Sequence, residues 1–327
     1  MALLPLAWVF WLIVATRRFL FSLGLFKSYK VGAPVIIVGN ICVGGTGKTP
    51  ATIWLAEQLK ELGEVPGIVS RGYLGDVGSL PVVVQSDSDP AIVGDEAILL
   101  ATRTRCPVVV HPDRVAAARK VVELGANVVI SDDGLQHYRL VRDFEIVVTD
   151  TSRGFGNGKL LPAGPLREPV SRLKSVDKIF VNRDYYPGKE FLESLQNRSK
   201  IDFRLSATTV HRVDQLETRE IKYFSGKQVH AVAGIGNPER FFRMLEEHGI
   251  KVLRHPLSDH ANISRSDIEF DDGLDVLMTE KDAVKCRQFN NGDCWYVAVD
   301  ISIDTSESDQ FMDLVYSKVQ LARAKIS

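Results

Sequence analysis

A chain of 327 residues with 45% hydrophobic and 25% charged residues is globular, with material for about two domains. Lys and Arg number 40 against 41 Asp and Glu, a net charge of −1, and neither half has a basic excess large enough for a nucleic-acid surface. Cys42, Cys106, Cys286 and Cys294 show neither CxxC nor His/Cys ligand spacing, which points to a reducing compartment and against structural zinc.

The first segment is "ALLPLAWVFWLIVA", without a charge, then Arg17 and Arg18, then "FLFSLGLF", Lys27 and Lys30. Its 14-residue uncharged run is shorter than the ~20 residues of a spanning helix. Its basic residues follow the apolar run, and no Ala-x-Ala site ends it, so it does not read as a cleaved signal peptide. Residues 1–30 read as a helix lying in a membrane interface, with Trp8 and Trp11 at headgroup level and the arginines toward anionic lipid. A buried first helix is the other reading, because buried helices can be equally apolar all round.

Next, "PVIIV" reads as a buried strand, "CVGGTGKTP" as a glycine turn, and "ATIWLAEQLKEL" as a helix with Ala51, Leu55, Leu59 and Leu62 on one face. Strand, glycine turn and helix frame a phosphate-binding loop. Gly44, Gly45, Thr46 and Gly47 would close main-chain N–H groups around an oxyanion at a helix N-terminus. Lys48 would reach the terminal phosphates and the Thr49 hydroxyl would ligate Mg²⁺. The usual spacing places Gly where Cys42 stands, and the lysine of partition-type ATPases is Val43 here.

Apolar strands "PGIVS", "PVVVH", "NVVIS", "FEIVVTD" and "VDKIFVN" alternate with helices "GDEAILLATRT" and "DRVAAARKVVEL". The alternation predicts an α/β fold: a doubly wound, mainly parallel sheet of P-loop NTPase type over 31–205, with ligands at the strand carboxyl ends. Residues 151–172 carry no such pattern and read as a long loop rich in Gly, Pro and Arg. A second cycle follows. "VHAVAGI" is a strand, Asn237 and Pro238 suit N-cap and N1 of "ERFFRMLEEHG", and "DVLMT", "EKDAVK" and "CWYVAV" continue it. This cycle predicts a smaller α/β domain over 206–327, with a last helix near 308–324 able to return to the first. Up to residue 205 there are 25 Lys and Arg against 21 acids, and 15 against 20 after it, which favours the first part for an anionic ligand.

Several clusters carry chemistry. Asp132 and Asp133 follow a strand directly, where an Asp of such enzymes holds Mg²⁺. Asp95 and Glu96 open a helix. They read equally as an N-terminal capping pair or as carboxylates for a reaction that must take a hydroxyl proton. Arg71 ends the second strand and could meet phosphate or lie in a surface turn. His137 follows the Asp pair, and His260 lies in "LSDHANIS". Arg153, Lys159, Arg167 and Arg172 could bind an anionic headgroup or be solvated.

Taken in order, "VGNICVGGTGKTP", "SRGY", "VGDEAILLA", "DRVAAAR", "ISDDGLQHYRL", "RGFGNGKLLPAGPLREP", "GIGNPERFF", Asp259–His260 and "LMTEKDAVKC" resemble the tetraacyldisaccharide 4'-kinase (lipid A 4'-kinase) family over most of the chain. The chain departs from the family pattern at Ala97, where Pro is common, in "SRGYLG", and after His260, where a second His is missing. The resemblance implies ATP-dependent phosphorylation of the 4'-hydroxyl of an acylated glucosamine disaccharide 1-phosphate, at the cytoplasmic face of a bacterial inner membrane. It implies that Lys48 and Thr49 serve ATP and Mg²⁺, that Glu96, Asp132 and Asp133 serve the metal, and that Asp95 is the base with His260 assisting. Arg71, Tyr73, Gln136, His137 and Arg167 are then the candidates for the substrate. No obligate protein partner is evident. The alternative of another class is a membrane-associated partition-type ATPase switch, and Val43 and the long loop argue against it.

Overall fold

The structure is a computed structural model that describes residues 3–72, 75, 77–183, 189–214, 216–259, 261–289 and 293–326. Of the candidate site residues, Tyr73 and His260 lie outside the described residues.

In chain order, the first part runs α1 (Leu4–Ser22), β1 (Val35–Gly39), α2 (Lys48–Glu61), β2 (Pro66–Ser70), β3 (Val82–Val84), α3 (Pro90–Val93), α4 (Asp95–Thr104), β4 (Val108–Val110), α5 (Arg114–Glu123), β5 (Val128–Asp132), β6 (Phe144–Asp150), β7 (Lys178–Asn182) and α6 (Lys189–Ser194). The second runs β8 (Lys200–Arg212), β9 (Thr218–Glu220), β10 (Gln228–Ala233), α7 (Pro238–Glu247), β11 (Lys251–Pro256), β12 (Val276–Thr279), α8 (Glu280–Cys286), β13 (Cys294–Ser302) and α9 (Thr305–Arg323).

All thirteen strands among the described residues belong to one sheet, ordered β11-β10-β12-β13-β8-β7-β6-β1-β5-β2-β4-β3, with β9 on β8. β1 pairs in parallel with both β5 and β6. The chain leaves β1 toward β2 and β4, returns through β5, and continues on the other side of β1 with β6 and β7. Such a reversal opens a crevice at the strand carboxyl ends, and the glycine turn after β1 lies there. The long strand β8 joins the two parts. Lys200–Phe203 pair in parallel with β7, and Arg204–Arg212 pair antiparallel with β13.

Strands β1, β2, β4, β5 and β6 are buried on both faces, which is why they read as continuous apolar runs. On one face pack α2, α4 and α9. Phe311 of α9 lies with its ring centroid 5.0 Å from Phe180, 5.9 Å from Trp54 and 6.0 Å from Phe144. Such an aromatic anchor contributes about 1.5–3 kcal/mol by burial alone. Arg323 closes the far end of α9 on Glu64, 2.6 Å away. In α2, Ala51, Leu55 and Leu59 are buried, whereas Leu62 lies one residue past the helix end and is exposed.

Helix α1 differs from all of these. Of its 19 residues only Ala7 is buried, while Leu6, Trp8, Val9, Trp11, Leu12, Ile13 and Phe19 face outward. The buried-helix reading does not describe it in this structure. Its 19 residues are long and apolar enough to cross a membrane by length and composition. The uncharged run underestimated the helix, which continues through Arg17 and Arg18.

Candidate active site

The phosphate loop is set by its glycines and by what packs beneath them. At Gly39 a Cβ would stand 2.8 Å from that of Leu135, so β1 can approach the chain after β5 only without a side chain. Gly44 and Gly47 take left-handed φ of 101° and 93°, which L side chains avoid. Buried Asn40 ties the loop from inside, donating from Nδ2 to Thr46 Oγ1 at 3.2 Å and to the Gly44 carbonyl at 3.4 Å. The Gly-Pro-Arg loop lies against the same turn: Val43 N donates to Pro165 O (2.9 Å) and Arg167 N to Ile41 O (2.7 Å). These pairings deliver the Arg167 guanidinium to Asp133, whose oxygens it meets at 3.0 and 2.8 Å.

The two aspartates after β5 have opposite surroundings. Asp132 is wholly buried and accepts the Thr52 hydroxyl at 3.2 Å. Burial, then Glu96 and Asp133, push its carboxyl up to about 7 against the pull of Lys48 and Arg114. For Asp133, burial also acts upward, but Lys48, 3.8 Å away, with Arg167 and Arg114, outweighs it and holds the carboxyl below its ordinary value.

Beside them lies a cationic end. Arg114 opens α5 almost fully buried, donating to His111 O at 3.0 Å and to Asp132 O at 3.4 Å, and burial lowers it to about 10. Burial, then Arg114, Arg71 and Arg17, push His137 down to about 3, so its imidazole is neutral. The Gln136 amide is fixed by Asn40 O (3.2 Å) and buried Glu168 (3.3 Å). Arg114, Asn40 and Glu168 were missed from sequence. "DRVAAAR" offers an arginine at a helix start, but only the fold shows it turned inward beneath the aspartates.

Helix α4 separates its first two carboxylates, since consecutive helical side chains diverge by about 100°. Glu96 faces the cleft and takes a 3.1 Å bond from Lys281 Nζ. Asp95 is buried behind it, with Oδ2 3.4 Å from Lys285 Nζ and Oδ1 accepting Glu96 N at 2.8 Å. Both lysines belong to α8. Two arginines also cross between the parts: Arg153 of the long loop donates to Gly236 O (2.7 Å), and Arg240 of α7 stands 2.8 Å from Asp150. Asn237 and Pro238 open α7 at N-cap and N1, but the Asn237 side chain makes no capping bond.

Gly44–Thr49, Arg71, Glu96, Asp132, Asp133, Gln136, His137 and Arg167 thus line one cleft of about 1740 Å³, and Asp95 lies behind it. The volume exceeds the ~300–1,000 Å³ that suits one drug-sized ligand, leaving room for two reactants together. Arg17 of α1 lines the same cleft. Among the described residues no three His, Cys, Asp or Glu side chains form a metal cage. Mg²⁺ does not ask for one: it is held by one or two carboxylates, with phosphate oxygens and water completing the set. Thr49 and a buried Asp132 whose charge is disfavoured by neighbouring acids fit that demand.

Comparison with known proteins shows the family of the chain. The family model for tetraacyldisaccharide-1-P 4'-kinase matches residues 1–319. The tetraacyldisaccharide 4'-kinase of Nitrosococcus oceani is 45% identical over 326 residues, covering 99% of this chain and 92% of the relative. That of Halorhodospira halophila is 47% identical over 302 residues, covering 92% and 88%. Among solved structures, LpxK from Aquifex aeolicus in complex with ATP aligns with a TM-score of 0.83 at 28% identity, covering 97% of this chain and 98% of that one. These likenesses do not favour the partition-type ATPase switch.

Proposed function

The chain belongs to the tetraacyldisaccharide-1-P 4'-kinase family, and from that premise we propose how its cleft moves a phosphoryl group from ATP to the 4'-hydroxyl of a tetraacylated glucosamine disaccharide 1-phosphate in lipid A biosynthesis. The loop Gly44–Thr49 cradles the phosphates with main-chain N–H groups, and Lys48 offsets their charge. Thr49, Glu96, Asp132 and Asp133 are the residues that would hold Mg²⁺, which when bound would neutralise charge on the phosphates. Asp95 takes the proton of the attacking hydroxyl, with His260 assisting. Asp95 is buried here, so a sugar hydroxyl reaches it only after the lobes shift. The lobes in this reading are residues 31–205 and 206–327, with the last helix, α9, returning to pack on the first.

Arg71, Tyr73, Gln136, His137 and Arg167 hold the phosphorylated sugar. A neutral His137 and a fixed Gln136 amide supply hydrogen bonds, and Arg71 and Arg167 supply charge. Residues 1–30 keep the enzyme on anionic lipid at the cytoplasmic face of the inner membrane, as a monotopic protein. The observation that carries the reading is that one cleft is lined both by the phosphate loop and by Arg17 of the exposed apolar helix. A nucleotide switch has no need of that adjacency, whereas a kinase for a lipid does.

Mg²⁺ titrations of Asp95→Asn and Glu96→Gln test the division of labour. Asp95→Asn keeps the shape and loses the proton acceptor, so kcat falls by roughly 10²–10⁴-fold with ATP binding little changed. Glu96→Gln raises the Mg²⁺ needed for half-maximal rate. Equal Mg²⁺ rescue of both variants would make both carboxylates metal-directed and remove Asp95 as base.

A further inference from the structure

Helix α8 begins where Thr279 caps it, its hydroxyl accepting Asp282 N at 3.2 Å. Asp282 is wholly buried and accepts Gly234 N (2.9 Å) and the Thr279 hydroxyl (2.6 Å), so the helix is anchored to the floor of its own lobe. Lys281 and Lys285 stand four residues apart and share the face turned toward the start of α4. They address two consecutive carboxylates there: Lys281 the outer Glu96, Lys285 the inner Asp95.

The two lysines differ in how firmly they are held. Lys285 Nζ has three acceptors around it: Ala261 O at 3.0 Å, Asp282 Oδ1 at 3.3 Å and Asp95 Oδ2 at 3.4 Å. An ammonium has three N–H donors and no acceptor, so this set uses all of them. Its side chain is 10% exposed, so it is a fixed charge and not a swinging one. Ala261 follows the position of His260, and Asp282 belongs to the anchored helix. Lys285 therefore links Asp95 of the first lobe to two segments of the second.

We propose that Lys285 is the positioning residue for Asp95, setting the orientation of its carboxylate as the lobes come together. The inference rests on the reading of Asp95 as the base. It predicts that Lys285→Met lowers kcat by about 10–10²-fold, the scale of a misplaced catalytic group, with KM for ATP and for lipid changed less than about twofold. Lys285→Arg returns the charge and recovers part of the loss.

A double-mutant cycle tests this, with melting temperatures recorded for every variant. In an Asp95→Asn background, adding Lys285→Met changes kcat less than about threefold, because the group it positions is already gone. If the two losses instead multiply, Lys285 acts on the fold and the inference is overturned. A near-normal kcat for Lys285→Met beside a deficient Asp95→Asn also overturns it while leaving the base in place. A near-normal Asp95→Asn removes the base reading itself. Should Lys285→Met fail to fold, the same cycle is read with Lys285→Arg.

Discussion

The two parts of the sheet meet the cleft with different chemistry. From β1 to β7 come the loop N–H groups and the acids Asp95, Glu96, Asp132, Asp133 and Asp150. From β10 to α8 come cations that pair with three of those acids across the boundary between the two parts, at or behind the cleft wall: Lys281 with Glu96, Lys285 with Asp95, Arg240 with Asp150. Overall charge runs the other way, since the chain after residue 205 is the acidic part. What matters at the cleft is which side chains a helix face presents, and α8 presents two lysines out of a seven-residue helix. One link is reversed. Arg103 of α4 meets both oxygens of Glu280, at 2.9 and 2.7 Å, and also pairs with Asp300.

The largest expected effect lies in the first part alone. Lys48→Ala removes the charge at the phosphates and lowers kcat by about 10²–10³-fold or more, with an unchanged melting curve because the lysine is not part of the core. Near-normal turnover in the folded variant would sink the phosphate-loop assignment. The reversed link comes next. Arg103→Met strands Glu280 in a buried setting, so chemical denaturation should show a loss of about 3 kcal/mol; a loss below about 0.5 kcal/mol would make the link incidental. Deleting residues 1–26 should raise KM for the lipid substrate about tenfold with KM for ATP held, and move the protein from the membrane to the soluble fraction. Aggregation of the truncated chain would instead show that α1 completes the core.

The smallest effect is one of pH. Asp132 sits at about 7 in the fold against an ordinary 3.8, so the folded protein keeps a proton that the unfolded chain releases. Its contribution to stability is present below pH 4 and is lost as pH rises toward 7. His137, lowered to about 3, works in the opposite sense and loses stability as pH falls below 6.5. In Mg²⁺-free buffer, Asp132→Asn should raise the melting temperature more at pH 7.5 than at pH 5. An equal shift at both would show the buried carboxyl to carry no penalty.

Much of the fold could be read locally because its strands are buried on both faces and its helices carry a 3.6-residue apolar period. β3, β9 and β11 could not: β3 and β9 are three residues long and not buried throughout as β4 is, and "KVLRHP" in β11 has no buried residue. The thirteen-residue β8 escaped because its two ends pair with different partners and no single apolar pattern runs its length. In the site, the glycines and GlyLysThr announce a phosphate loop by local geometry. Asn40, Arg114, Lys281 and Lys285 do not: Asn40 and Arg114 are given their work by how the loop and helix start fold inward, and the two lysines by carboxylates 185 or more residues away.

The central claim is phosphoryl transfer to a lipid sugar. Its most direct test is incubation of the full-length protein with γ-labelled ATP, Mg²⁺ and a tetraacylated disaccharide 1-phosphate in detergent micelles, with the product placed by phosphorus NMR. Label at the 4' position, with ATP turnover that requires the lipid, is the predicted result. ATP consumption at the same rate without lipid, and no phosphorylated lipid, would contradict it.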